Sequence, residues 1–520
     1  MQIVKNTDVG EVDLNSDETM WVYNGLDCCL THEIWGELAD MVAEEAQITY
    51  DFEMNMLGPA LAMTRRGLRV DSEKIETMRD AITKRKNMFQ RRLDMVAEAI
   101  WDKELNPNSP VQLQNFFYGA LAIPKVTKFV KGKQKVSTDK AALETIEGRY
   151  FRARIFCMLI NALRDCSKKL GVLNSTLSDD GRLRCSFNVA GTETGRWSSS
   201  QDVFREGTNL QNMTDELRVI VVPDEGQKLF YADLEQAESR VVAYLSGDQN
   251  YIDSCEAGDL HTYVAKMIWP QFAWTGVLKE DRKLAESPYF GQFSYRDICK
   301  RAGHGTNYGL MATSLGRHLK IPVRTATKFQ LDYYGGSVKE KSLYRWHQLD
   351  PLVGFDKMIE NGVREGEGDK AIIHVEGAFP GIRRWHREVQ FELQTTGILT
   401  SPMGRRRVFW GRPNDDSTLR EAIAYVPQST VGDLLNVGLF RIWNELEPDV
   451  QVLGQVHDAV LGQFPIDGEG WEDKIIECMV NPVTVNGHLM SIPSSIEMGM
   501  NWAHFNDDPT RGPLNLEGIH

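Results

Sequence analysis

The sequence predicts an α+β chain built of several subdomains, and three observations point there. At 520 residues the chain exceeds what one hydrophobic core usually supports, so about two to four subdomains are expected. Helical periodicity dominates, with apolar residues every three or four positions through 17–42, 72–101, 151–170 and 295–309. Strand patterns are fewer and set apart. One is the apolar run that opens Phe230–Leu245, and the other is a strand, tight turn and strand within Val452–Phe464.

Composition limits the classes of function. Apolar content of 42% and charged content of 25% are ordinary for a globular protein. The formal charge of −14 argues against a nucleic-acid partner only globally, because a polyanion responds to the local field. Clusters of cations therefore decide the question. The eight cysteines, at 28, 29, 157, 166, 185, 255, 299 and 478, form no Cys-x-x-Cys pair. Neither a zinc framework nor a disulfide scaffold is expected, and reduced thiols suit a cytoplasmic setting. The N-terminus has no basic and apolar leader, and no apolar run reaches membrane-spanning length, so no membrane partner is expected.

The elements follow in order. After a polar lead over 1–16, Trp21, Tyr23, Leu26, Leu30, Ile34 and Leu38 recur near helical spacing, which predicts a core helix from Asp17 to about Val42. Tyr23 and Asp27 share one face of it and could also orient a water and hold a metal. Asp71 or Ser72 caps a long helix that runs to about Trp101, with Ile75, Met78, Ile82, Phe89, Leu93, Val96 and Ile100 as its apolar stripe. Its middle carries Lys84, Arg85, Lys86, Arg91 and Arg92. The next loop repeats the sign with Lys125, Lys128, Lys131, Lys133 and Lys135. Two neighbouring basic segments in an acidic chain suit contact with a phosphate backbone. Residues 181–213 turn to short stretches rich in Ser, Thr and Gly around Thr192–Arg196 and Asn209–Asn212. Asn and Gln there can donate to acceptors in a minor groove.

The stretch Phe230–Leu245 reads as a buried strand that brings Asp233 to its end. It then becomes an amphipathic helix carrying Gln236, Glu238 and Arg240. After Gly258-Asp-Leu-His261 and an aromatic-rich insertion, Arg296, Lys300, His304 and Tyr308 recur every four residues. They lie along one slowly drifting helical stripe. Arg and Lys one turn apart match a triphosphate, and a ring further along matches a base. Gly303 and Gly305 inside that helix imply close approach or bending. Residues 310–395 read as mostly helical, with turns at Gly335-Gly336 and Phe379-Pro-Gly. Beyond them lie a turn with Arg405, Arg406 and Arg407, a helix from Arg420 through Gln428 and Asp433, and a hairpin with His457 and Asp458 at its tip.

Together these residues resemble DNA polymerase family A over nearly the whole chain, from about 17 to about 503. Phe230–Leu245 is similar to the first palm motif of that family, Arg296–Gly309 to its fingers-helix pattern Arg-x3-Lys-x7-Tyr-Gly, and Gln455–Asp458 to its second palm motif. Thr192–Arg196, Asn209–Asn212, Gly404–Arg407 and Gln428-x4-Asp433 also fall in the family's order.

The resemblance implies a right-hand fold with an antiparallel palm sheet and helical thumb and fingers. Residues 1–45 would be the remnant of a 3′–5′ exonuclease domain, 46–170 the thumb and lead-in helices, 171–245 and 396–520 the palm, and 246–395 the fingers. It implies template-directed DNA synthesis with two Mg²⁺ ions, replaceable by Mn²⁺, on Asp233, Asp458 and the Leu234 carbonyl. Lys300 would be the general acid toward pyrophosphate. Arg296, Lys300, His304, Tyr308, His261 and Gln236 would bind the deoxynucleoside triphosphate, with Glu238 at the sugar gate. Arg196, Asn209, Gln211, Asn212, Arg405, Arg406, Arg407, Arg420, Gln428 and His457 would meet primer-template DNA.

Three positions depart from the family pattern. Ala459 stands where a carboxylate usually follows the second aspartate, and His304 where a Phe or Tyr usually faces the nucleotide. Tyr23-x3-Asp27 resembles the last exonuclease motif, yet the 22 residues before it are too few for the rest of that domain. This implies no proofreading by the chain alone, with a separate exonuclease polypeptide or replisome proteins as possible partners. A compact replicative polymerase of a bacteriophage, acting in the host cytoplasm, fits this form. A single-chain RNA polymerase and a non-catalytic DNA-binding scaffold are the alternatives; Glu238 argues against the first, and the intact Asp233, Asp458, Arg296 and Lys300 against the second.

Overall fold

The computed structural model describes residues 17–42, 44–130, 133–202, 206–269, 272–290 and 293–503. The chain opens with three helices, α1 (Asp17–Leu38), α2 (Glu44–Asn55) and α3 (Leu57–Arg66). The long helix α4 (Ser72–Trp101) starts where the Asp71 carboxylate accepts from the Lys74 amide at 3.0 Å, satisfying one of the orphan donors of its first turn. The hairpin β1 (Thr127–Val130) and β2 (Lys133–Val136) precedes α5 (Arg154–Leu173). Helices α4 and α5 pack along each other with two cores between them. Leu93 and Ala97 meet Phe116, Phe156 and Leu163 toward one end. Ile75, Met78 and Ile82 meet Cys166, Leu170 and Leu173 toward the other.

The second of those cores continues into the main sheet. Strand β3 (Gln227–Leu234) leads to α6 (Ala237–Ser246). There follow α7 (Leu260–Ile268), α8 (Tyr295–Asn307) and α9 (Val323–Tyr334). A small sheet comes next, with β4 (Gly336–Lys339), β5 (Val363–Glu365) and β6 (Ile372–Val375) in the order β4–β6–β5. Helix α10 (Pro380–Thr395), the hairpin β7 (Ile398–Thr400) and β8 (Arg406–Val408), and the long helix α11 (Asp416–Leu446) lead to β9 (Gln451–Val456), β10 (Ala459–Pro465) and β11 (Ser494–Gly499). The main sheet has the order β9–β10–β3–β11, antiparallel throughout.

Both faces of this sheet are covered. Phe230, Ala232, Val460 and Phe464 meet Val241 of α6 and Leu435 and Leu439 of α11. The alternate residues Leu229 and Leu461 meet the α4–α5 end, as the two-residue period of a strand requires. Gly462 is required by packing, since a Cβ there would lie 2.3 Å from the Phe230 ring. A further core joins α7 to α10 through Val264, Ile298, Phe329, Tyr333, Phe379 and Trp385.

One expectation fails here, and another, the mostly helical 310–395, holds with an addition. The apolar stripe of α1 is not a core stripe: Thr19 is the one buried residue among those described in that helix, while Trp21 is 73% and Ile34 56% exposed. Helical spacing specifies a face, not what covers it. Residues 310–395 also contain the sheet β4–β6–β5, whose strands of three or four residues are too short to show a period. No helix among the described residues is long and apolar enough to cross a membrane.

Candidate active site

The centre of the site is set by strand register. Ala459 is paired with Asp233 across β10 and β3, and the Leu234 amide donates to the Asp458 carbonyl at 3.1 Å. Asp233 and Asp458, far apart in sequence, therefore sit at the same end of neighbouring strands. Asp458 follows His457, which holds a left-handed backbone at φ 56° at the tip of the β9–β10 hairpin. Burial pushes the Asp233 carboxyl up to about 7, with Asp458, Glu497 and Glu235 adding to the rise and Lys300 opposing it. Burial also raises Asp458, against Arg196 and with Glu238.

Crowded oxygen donors of this kind are relieved by a hard divalent cation, so the donor set fits Mg²⁺. Ala459, buried in the sheet, brings no carboxylate of its own, while Glu497 and Glu235 act on Asp233 through their charge. Among the described residues no group of three or more His, Cys, Asp or Glu is arranged to hold a metal ion. Asp233 and Asp458 are the pair that could hold an ion here.

Glu238 lies in the first turn of α6 and is the hub of a second network. Arg196 and the Tyr308 hydroxyl both donate to its carboxylate, and His304 Nδ1 stands 3.6 Å away. Arg196 Nη2 also reaches Asp458 at 3.1 Å. A continuous line of contacts therefore runs from Tyr308 through Glu238 and Arg196 to Asp458. Tyr308, expected on the stripe of α8, is the residue that ends that helix, with its hydroxyl on Glu238. Gln236, just before α6, has a left-handed backbone at φ 54°. Its amide donates to the Gly258 carbonyl at 3.0 Å, and its Oε1 is buried without a partner among the described residues.

Helix α8 begins with a capping box between Ser294 and Asp297. Arg296 does not project freely from it. Its Nε and Nη2 donate to the Asp259 carboxylate at 3.1 and 3.2 Å, and Asp259 also caps α7 through the Thr262 amide at 3.3 Å. Asp259 is a functional neighbour that sequence reasoning missed, although it lies inside the quoted Gly258-Asp-Leu-His261. Burial, with Arg296 next, holds the His261 ring down to about 4, so it is neutral near pH 7. Lys300, one turn on from Arg296, is close enough to lower the Asp233 carboxyl. The close-approach expectation is met at Gly305, where a Cβ would come within 3.1 Å of the Leu310 side chain.

The residues expected to meet DNA divide into two groups. Arg405 is corrected outright. It is buried, with Nε and Nη2 on Asp433 at 3.1 and 2.8 Å and Nη1 on Glu53 at 2.5 Å. Its guanidinium fastens the β7–β8 hairpin to α11 and α2 and cannot reach a ligand. Arg407 is partnered by Glu193 and, at 3.5 Å, Glu421, and lies over the Phe409 ring. Asn209 accepts from the Gln211 amide at 2.9 Å, and Gln211 donates to the Trp197 carbonyl at 3.3 Å.

Arg406, Asn212 and His457 are exposed and Gln428 half-buried. Arg420 lines a cavity of about 680 Å³ with Tyr334, Arg383 and Arg387, and the sequence offered no motif to single out the last two. On α4, Lys84, Arg91 and Arg92 line an open hollow of about 400 Å³, whereas Arg85 is paired with Glu216 at 3.1 Å. Lys128 pairs with Asp139 at 2.5 Å, and Lys131 lies outside the described residues. Tyr23 and Asp27 are exposed on α1.

The chain was compared with known proteins. The family model for DNA polymerase family A matches residues 73–339. A thermostable DNA polymerase I of Thermus filiformis is 26% identical over 496 residues, 91% of this chain and 50% of the relative. A DNA polymerase I of Mycobacterium bovis is 26% identical over 442 residues, 80% of this chain and 41% of the relative. The chain thus spans about half the length of the curated relatives it matches. Among solved structures, the POL domain of Pol1 from M. smegmatis, in complex with DNA primer-template and dNTP, superimposes with a TM-score of 0.64. It is 24% identical, and the match covers 87% of this chain and 70% of that one, which places the two in the same fold.

Proposed function

Because the chain belongs to DNA polymerase family A, we propose that it is a DNA-directed DNA polymerase. It adds deoxynucleotides to a primer 3′-hydroxyl against a template strand and releases pyrophosphate. The observation that carries this reading is the pair Asp233 and Asp458, held side by side by the β3–β10 register, with Lys300 of α8 close to Asp233.

Asp233, Asp458 and the Leu234 carbonyl would hold two Mg²⁺ or Mn²⁺ ions, which would supply activation of the 3′-hydroxyl and stabilisation of the leaving pyrophosphate. The residues of α8 do the rest. Arg296, fixed by Asp259, and Lys300 face the triphosphate and offset charge as it develops. Lys300 carries the proton given to pyrophosphate. The neutral His261 ring donates one hydrogen bond to phosphate without adding charge, and Gln236 offers a further polar contact.

Glu238, held by Arg196 and Tyr308, walls the sugar so that a ribose 2′-hydroxyl meets a carboxylate, and His304 borders the same space. Arg196, Asn209, Gln211, Asn212, Arg406, Arg407, Arg420, Gln428 and His457 line the path of primer-template DNA, while Arg405 positions the hairpin that carries its neighbours. In this reading 46–170 form the thumb and lead-in helices, 171–245 and 396–520 the palm and 246–395 the fingers, and 1–45 correspond to the end of an exonuclease domain. Tyr23 and Asp27 stand exposed on α1, with no group of three or more metal-ligating side chains among the described residues, so proofreading is not expected of this helix.

The decisive measurement is primer extension by the wild type, Asp233→Ala and Asp458→Ala in Mg²⁺ with each nucleotide set. Extension by the wild type alone, with deoxynucleotides preferred over ribonucleotides and the preference reduced in Glu238→Ala, is the expected result. Extension by either aspartate variant at the wild-type rate would remove the proposal. Shortening of a mismatched primer by the wild type that is lost in Asp27→Ala would refute the proofreading clause alone.

A further inference from the structure

Among the described residues, a long exposed apolar surface lies on α1, away from the Asp233–Asp458 site. Helix α1 is 22 residues long, roughly 33 Å at 1.5 Å per residue. Tyr23, Leu26, Leu30, Ile34 and Leu38 follow one another at spacings of three and four along it, which is the anchor pattern of a helix laid into a groove. All but the half-buried Leu30 are exposed. Trp21 at 73%, Met41 at 74% and Ile48 of α2 at 69% exposure extend the surface. A surface of this kind on a folded chain marks an interaction site.

The helix is held out rather than folded away. Trp35 stacks on Tyr50 of α2 with ring centroids 5.3 Å apart. The α2 helix is tied to the body by Glu53 on Arg405 at 2.5 Å and Glu45 on Arg406 at 3.3 Å.

Charge decides what can cover this surface. No lysine or arginine occurs between Lys5 and Arg65. Glu33 and Glu37 lie beside the apolar anchors, and Asp40 and Glu44 continue the same sign toward α2. Such a face repels the phosphates of DNA and an anionic bilayer surface, and a second copy would bring acid against acid. What complements it is an apolar groove rimmed by cations.

We propose that α1 and the start of α2 form a docking surface for a separate polypeptide that presents an apolar groove edged with lysine or arginine. This goes beyond the polymerase reading and does not depend on it.

The test uses the full chain with two fluorescent helical peptides. One has a leucine face flanked by lysines; in the other, glutamates replace the lysines. Anisotropy is expected to show binding of the Leu/Lys peptide, weakening as salt rises, and none of the Leu/Glu peptide. In Leu26→Asp/Ile34→Asp, binding should fall at least about tenfold with primer extension unchanged. In Glu33→Lys/Glu37→Lys/Asp40→Lys, which keeps every apolar anchor, the preference should reverse to the Leu/Glu peptide. Equal binding of both peptides by wild type and variants would overturn the proposal. So would a dimer in sedimentation that Leu26→Asp/Ile34→Asp abolishes, or adsorption to phosphatidylserine vesicles that the same substitutions remove.

Discussion

Two regions treat enclosed charge in opposite ways. Around Arg405 a guanidinium is enclosed with two carboxylates, Asp433 and Glu53, and four contacts between 2.5 and 3.1 Å engage it. At the end of β3 and β10, Asp233 sits with Asp458, Glu497 and Glu235 in its field and only Lys300 opposing them, and its carboxyl is pushed up to about 7. A buried charge with complete partners fixes geometry. A buried charge left without them costs stability and persists where a ligand is to supply the missing partner. The contrast separates a fastening from a candidate site without reference to any relative.

The largest effect expected from this contrast is on activity. Asp458→Asn should reduce primer extension on the order of 10³-fold or more while leaving the urea midpoint unchanged or raised. A fall in the midpoint together with activity would place Asp458 on the fastening side instead. Next in size is Arg405→Ala, which strands Asp433 and Glu53. It should cost about 3–5 kcal/mol in urea unfolding, and the double variant Arg405→Met/Asp433→Leu should cost less. Weakened DNA binding by Arg405→Ala at unchanged stability would show that the arginine reaches the ligand after all.

The third test is a pH profile in chelator. The folded carboxyl of Asp233, at about 7, lies above its ordinary value of 3.8, so the native state holds more protons between these limits. Its contribution to stability is present below about pH 4 and is lost as pH rises through 7. Asp233→Asn should remove that slope and be more stable than the wild type above pH 7 by on the order of 1–4 kcal/mol. Identical profiles would mean that the carboxylate is already compensated.

The smallest effect belongs to Arg406, next to Arg405 but exposed. Arg406→Ala should alter stability by no more than about 0.5 kcal/mol and should weaken DNA binding a few-fold, with a shallower salt dependence. A large loss of stability there would erase the distinction between the two neighbours.

How far these features could be read in advance depends on the distance over which each is determined. The strand that ends at Asp233, the hairpin tip at Asp458 and the helix of Arg296 and Lys300 are local patterns, and they were legible. The register that sets Ala459 opposite Asp233 is not local, and only the whole fold supplies it. Arg405 was assigned to DNA on the resemblance, and nothing local in three consecutive arginines sets it apart from its neighbours. Its partners, Asp433 and Glu53, lie 28 and 352 positions away, where no window can find them. Helix α1 was misread for the opposite reason: its period was correct, but a period says nothing about a partner. Asp259 sat inside a quoted motif, and its grip on Arg296 needed α7 and α8 brought together.

The hydrogen bond from the Leu234 amide to the Asp458 carbonyl has a consequence for how the molecule fails. A slip of one residue between β3 and β10 would turn every side chain of one strand to the opposite face, and both faces here are filled by Phe230, Phe464, Leu229 and Leu461. The alignment of the two aspartates therefore has no intermediate setting. On heating, the loss of activity should coincide with melting of the sheet core, and a gradual drift of the site within a folded molecule is denied by the strands themselves.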